Sequence, residues 1–188
     1  INSDWKYTFI GLLKYVNYTA TDKQECKYKV VELGTLRSSE ELGGVTPDPQ
    51  NLAHIKPIAG YYPEYKDGSF DITNKKTGTL KIIKKTGKND FLQGAEFTLY
   101  TDSNTTQVAK DHSGNDLTGT TGENGELVFN NIKAGTEENP ITYYLKEVKT
   151  KAGYVLLKEP IKIILPYKYN KGDIVNGNKV TESGVTWN

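Results

Sequence analysis

Apolar and polar residues alternate along this chain in short runs separated by turn-forming stretches. Residues 5–10 (WKYTFI), 27–32 (KYKVVE), 69–73 (SFDIT), 79–84 (TLKIIK) and 95–100 (AEFTLY) carry the period-two signature of half-buried strands. So do 127–130, 141–148 and 160–165 (PIKIIL), with a weaker run near 179–181. Helical periodicity is almost absent. Residues 35–68 are rich in Gly, Pro, Ser and Glu and lack a period, and 105–127 form a polar excursion ending in the turn ENGE at 123–126. NKKTG at 74–78 reads as a brief junction. The strands before it are too few for an independent sandwich, whereas those after it nearly suffice.

Phase within the strands raises two questions. Lys81 lies in register with Ile83, so the face that holds one holds the other. Tyr28-Lys-Val-Val-Glu32 and Tyr143-Tyr-Leu-Lys-Glu147 share the plan Tyr-x-apolar-x-Glu, which sets a glutamate on the same face as an apolar residue. Two readings are open. Either the tyrosines face water and the glutamates are ordinary, or a carboxyl is turned inward, where an unpaired charge is costly.

Composition narrows the class. The 188 residues are 36% hydrophobic, with 13 tyrosines, 18 glycines and no methionine, which suits a β-rich surface protein. Lysines are dispersed among carboxylates, net charge is +1 and Arg37 is the sole arginine. Nucleic-acid binding wants clustered basic residues, so that class is excluded. No apolar run approaches the roughly 18 residues of a membrane-spanning helix. Cys26 is the one cysteine, so no internal disulfide exists. The opening INSDW, without Met, reads as part of something longer.

Five stretches together resemble the CnaB, or SpaA-like, domain of Gram-positive pilins and cell-wall-anchored adhesins. They are GTLKIIKK (78–85), LQGAEFTLY (92–100), TGENGELVFNNIKAG (121–135), YYLKE (143–147) and AGYVL (152–156). DWKYTFIGLLKY (4–15), YKVVE (28–32) and FDITN (70–74) resemble the closing half of another such domain. The resemblance implies all-β, immunoglobulin-like or prealbumin-like β-sandwich modules in tandem. A partial domain is expected over 1–75, and a second over 76–188 lacking its last strand.

In that family a strand lysine, a late asparagine or aspartate and a glutamate between them form an intramolecular isopeptide bond. Carried onto this chain, the resemblance makes Lys81, 13 residues before Gly94, the lysine of the second domain and Glu147 its proton-shuttling glutamate. Its acceptor is either Asn188 or a residue on a closing strand beyond 188. In the first domain Glu32 is the glutamate and Asn74 the acceptor, with the lysine upstream of Ile1; Lys6 and Lys14 fall on the wrong face.

The chemistry needs those residue types. An amine attacks a carboxamide only as the free base, and burial disfavours the charged forms of amine and carboxyl alike. Folding supplies the proximity. The reaction runs once per molecule, so it is self-processing and the protein is not an enzyme. Closing a loop of about 100 residues stabilises a domain by about 4.7 kcal/mol in the chain-entropy treatment.

The resemblance thus implies an extracellular structural or adhesive segment of a pilus or cell-wall-anchored surface protein, with roles in adhesion and virulence. Its expected partners are neighbouring pilin subunits or domains, with no cofactor and no metal. The alternative is a module binding host matrix or glycan through 35–68 or 101–126, where Tyr61, Tyr62 and Tyr65 could stack on a ligand.

Other signals are weaker. His54 and His112 sit in polar, turn-rich segments. Asn17 and Asn104 begin glycosylation sequons. DHSGN at 111–115 has the oxygens of a cation loop without the EF-hand spacing. Cys26 has no catalytic partners legible in the sequence.

Overall fold

A computed structural model describes residues 12–16 and 24–188. The expected strand at 5–10, Lys6 and the Asn17 sequon lie outside the described residues. Contacts divide the chain into two units, Ile1–Glu32 and Leu33–Asn188.

In the first unit, β1 (Tyr15–Val16) pairs antiparallel with β2 (Gln24–Glu25). Residues 27–32 do not form the expected strand. A strand needs a ladder along its backbone, and among the described residues no ladder is formed along 27–32. The Tyr28 hydroxyl instead donates to the Leu13 carbonyl at 2.7 Å, and Tyr28 and Val31 stay exposed.

The second unit begins with β3 (Thr35–Leu36) and β4 (Ile55–Lys56), which pair across the region without periodicity and its short 3-10 turn Leu52–His54. Then come β5 (Tyr61–Tyr65), β6 (Ile72–Ile83), β7 (Glu96–Tyr100), β8 (Thr118–Thr120), β9 (Glu126–Lys133), β10 (Ile141–Lys149) and β11 (Ile161–Leu165). Four short strands close it: β12 (Tyr167–Tyr169), β13 (Ile174–Val175), β14 (Asn178–Lys179) and β15 (Gly184–Thr186).

Two sheets make the sandwich. One has the order β5-β6-β9 and the other β11-β10-β7-β8. Alternation along β7 and β10 sends Phe97, Leu99, Tyr143 and Leu145 inward, where they join Phe129 and Ile132 of β9 and Leu80 and Ile82 of β6. Each such large side chain contributes roughly 1.5–3 kcal/mol by leaving water. This is the prealbumin-like all-β architecture that the sequence led us to expect.

Strand β6 runs unbroken through 74–78, the stretch read above as a junction. Its first half is held by β5, with Pro63 opposite Asn74 and Tyr61 opposite Lys76. Its second half is held by β9, with Ile82 opposite Leu127. Polar side chains on 73–76 mimic a linker in sequence, but β5 gives their backbone a ladder. The polar excursion at 105–127 likewise conceals β8 and the buried apolar residues Ala109 and Leu117.

Candidate functional site

The phase of β6 is decided by Leu80 and Ile82, which pack on the core. Odd-numbered residues therefore face outward, and Ile83 is 52% exposed. Lys81 shares that outer face and pairs there with Glu126. Lys84, in register with Leu80 and Ile82, turns inward. The expected partnership of Lys81 with Glu147 is thus not what the structure brings together: Lys84 Nζ lies 2.9 Å from Glu147 Oε2. Lys84 was missed in the sequence, although two inward apolar residues at 80 and 82 carried the signal.

Glu147 is reached by the same alternation on β10. Tyr143, Leu145 and Glu147 are all buried, and Glu147 is 1% exposed. The inward reading of Tyr143-x-Leu145-x-Glu147 is the one the fold adopts. Oε2 accepts two hydrogen bonds, from Lys84 Nζ and from the Leu157 N–H, each at 2.9 Å. Oε1 is buried and finds no hydrogen-bond partner among the described residues. An unpaired oxygen on a buried carboxyl is costly, so this is an unfinished polar site.

The backbone of Lys84 is fixed by the turn before β9. Its N–H donates to Gly125 O at 2.8 Å, and its carbonyl accepts from the Leu92 N–H at 3.0 Å. Gly125 has φ 68°, and a Cβ there would stand 2.4 Å from the Lys84 carbonyl oxygen. Only glycine allows that approach.

On the side of β6 away from β9, the Thr77 N–H donates to Gly60 O and the Thr79 N–H to Trp187 O, both at 2.8 Å. Trp187 packs against the core, and Lys76 Nζ stands 3.9 Å from its ring centroid. Past Thr79 the described residues supply no further strand on this side. Antiparallel alternation turns the N–H and C=O of Lys81 and Ile83 toward that free edge. Asn188 is exposed, one residue past Trp187, and its N–H is held by Thr186 Oγ1. From Thr79 to Lys84 is roughly 17 Å of strand, so the Trp187–Asn188 segment meets β6 well short of the pair.

The remaining candidates are dispersed. Glu32 lies in the first unit, and Asn74 on β6 in the second. Cys26 is half-buried, its N–H bonded to Lys14 O. His54 is used locally, its Nδ1 accepting from the Asp48 N–H. His112 stacks on Tyr62, rings 6.1 Å apart and 12° from parallel. The loop at 111–115 spends its carboxylate on itself. Asp111 accepts from the side chain of Asn115 and from the N–H groups of Asn115 and Ser113, which hold it below the usual carboxylate range. Tyr61 and Tyr65 are exposed along one face of β5, whereas Tyr62 turns the other way toward His112.

Comparison with known proteins follows the same lines. The family described as SpaA, prealbumin-like fold domain, matches residues 78–179, more than half of the chain. Among solved structures the chain is similar to a streptococcal ancillary pilin, at 22% identity and TM-score 0.42 over 71% of this chain and 40% of that one. It is also similar to BcpA, the major pilin subunit of Bacillus cereus, at 25% identity and TM-score 0.39 over 58% of this chain and 29% of that one. A third is the pilus 2b backbone protein of group B streptococcus, at 30% identity and TM-score 0.37 over 53% and 38%. The chain therefore spans 40% or less of the length of each of these three pilins. No curated protein matches it. From the family match and the sandwich it describes, the chain belongs to the SpaA family of prealbumin-like fold domains.

Proposed function

We propose that this chain is an extracellular structural module of a Gram-positive pilus or cell-wall-anchored surface protein, and that Lys84 and Glu147 are the reactive pair of an intramolecular amide cross-link. The observation that carries the reading is the buried Glu147 carboxyl, with Lys84 on one oxygen and, among the described residues, no hydrogen-bond partner on the other. Lys84 takes the part that the family resemblance gave to Lys81, whose surface pairing with Glu126 keeps it in water.

The chemistry balances within the site. Lys84 Nζ attacks a side-chain carboxamide carbon, the new C–N bond forms and the C–NH2 bond breaks. Glu147 passes the amine proton to the departing nitrogen, and ammonia leaves. Oε1 is the oxygen free to meet the acceptor carbonyl. That acceptor is a carboxamide on a strand lying along the free edge of β6 beside Lys84, rather than Asn188 in its present place. Such a bond survives reduction, which suits a segment whose 188 residues hold one cysteine, Cys26.

The test is peptide mapping of the protein taken from the surface of the producing cells. Lys84 is expected in a branched peptide, joined to an asparagine side chain with a loss of about 17 Da, one ammonia. Lys84 free and cleaved by trypsin in every molecule would overturn the reading, and a branch at Lys81 would transfer the role.

A second reading rests on Tyr61 and Tyr65, which line one exposed face of β5 and could stack on a host glycan or matrix chain. Loss of binding to glycan or collagen surfaces in a Tyr61→Ala, Tyr65→Ala double variant would support it, and unchanged binding would dismiss it.

A further inference from the structure

We infer that the backbone amide of Leu157 is a positioning group for the Lys84–Glu147 pair, an inference that rests on the reactive-pair reading above. Glu147 Oε2 is shared by two donors, and they differ in kind. The Lys84 ammonium ends a flexible stem and accepts many directions of approach. The Leu157 N–H is fixed in the backbone and points one way.

A terminal carboxyl torsion is broad, so left to itself the carboxyl plane swings widely. With the amide and the ammonium both on Oε2, the carboxyl settles with Oε1 turned to the remaining side. The amide thereby holds the Glu147 side-chain rotamer and the plane of its carboxyl, and so sets where the second oxygen meets the acceptor.

Leu157 belongs to the loop between β10 and β11, whose residues 151–159 are all exposed. Leu157 is itself 38% exposed, and its contact with Glu147 is made by the backbone. The role belongs to the N–H. Alanine at 157 keeps it, proline deletes it, and replacing Leu157 by its α-hydroxy acid removes the N–H while retaining the side chain.

Two measurements on the full chain test this. Three-bond couplings of a carbon-13-labelled Glu147 side chain report its rotamers. One rotamer is expected in the parent and in Leu157→Ala, and averaging over several in Leu157→Pro and in the backbone ester. The ester keeps the test decisive should the proline variant fail to fold. A single, unchanged rotamer in the ester overturns the inference, whether or not a cross-link exists.

The second readout is the fraction of surface-displayed protein branched at Lys84. It is expected unchanged in Leu157→Ala and reduced about tenfold in Leu157→Pro, as for loss of a charge-assisted hydrogen bond. No branching in the parent sinks the reactive-pair reading and leaves the coupling result to judge Leu157 alone. Full branching in a folded proline variant overturns the inference and spares the reading.

Discussion

Lys84 Nζ meets Glu147 Oε2 at 2.9 Å across 63 positions of sequence, while Lys81, three residues away on the opposite face, meets Glu126 in water. The two pairs look alike in sequence but differ in solvation. The Lys81 side chain is 54% exposed and the Lys84 side chain 22%, with Glu147 fully covered. A surface pair gains little, whereas removing one partner of a buried pair strands a charge.

Glu147→Ala is therefore expected to destabilise the domain by about 3 kcal/mol. Lys81→Ala should cost less than about 1 kcal/mol. Urea unfolding followed by fluorescence measures both, through a lower midpoint at an unchanged slope. Similar losses for the two variants would mean that the Lys84–Glu147 pair is solvated in solution.

Gly125→Ala is expected to unseat the Lys84 backbone. The added Cβ meets a carbonyl oxygen at 2.4 Å in a left-handed conformation, so backbone must shift. A loss of about 2 kcal/mol or more follows from strain of this kind. Gly122, whose nearest neighbour to a new Cβ is 3.7 Å away, serves as control and should tolerate alanine far better. Thermal melting of both variants would show it, and equal melting temperatures would contradict the steric account.

Alkaline pH should weaken the fold through Tyr143. Burial, reinforced by the nearby Tyr62, pushes its phenol from the ordinary 10 up to about 12. Its hydroxyl donates to the Lys133 carbonyl at 2.7 Å. The folded state thus holds this proton more tightly than the unfolded chain. Its contribution is complete below about pH 10 and is lost as pH rises to about 12, on the order of 1–2 kcal/mol after solvent screening. Tyr143→Phe should flatten that limb in unfolding curves between these values. An unaltered limb would assign it to other groups, Tyr62 first among them, since burial raises that phenol too.

Much of this was legible in the sequence where one face of a strand is apolar. The expected runs at 95–100, 141–148 and 160–165 became Glu96–Tyr100, Ile141–Lys149 and Ile161–Leu165. Glu147 was found by its company, Tyr143 and Leu145. Lys84 was not: a run with apolar residues at 80, 82 and 83 offers two phases, and the family resemblance placed the lysine at Lys81, in phase with Ile83. Packing of Leu80 and Ile82 between the sheets broke the tie. Residues 27–32 failed in the opposite way. Their alternation is clean, but a strand is a property of a pair, and among the described residues no ladder runs along them. The junction at 74–78 misled because polar side chains on an edge ladder look like a linker when the partner, Tyr61–Tyr65, sits in a stretch with no visible period.

The long separation of Lys84 from Glu147 also orders events in time. Contacts between distant positions form after local ones, because the chain must first give up the entropy of the loop between them. The β7, β8 and β9 segments all lie within that loop, so the amine and the carboxyl meet only when both sheets have assembled around them. A half-made domain leaves the two groups hydrated and apart. Any bond at this site would therefore be a date stamp, set only on copies that have finished folding.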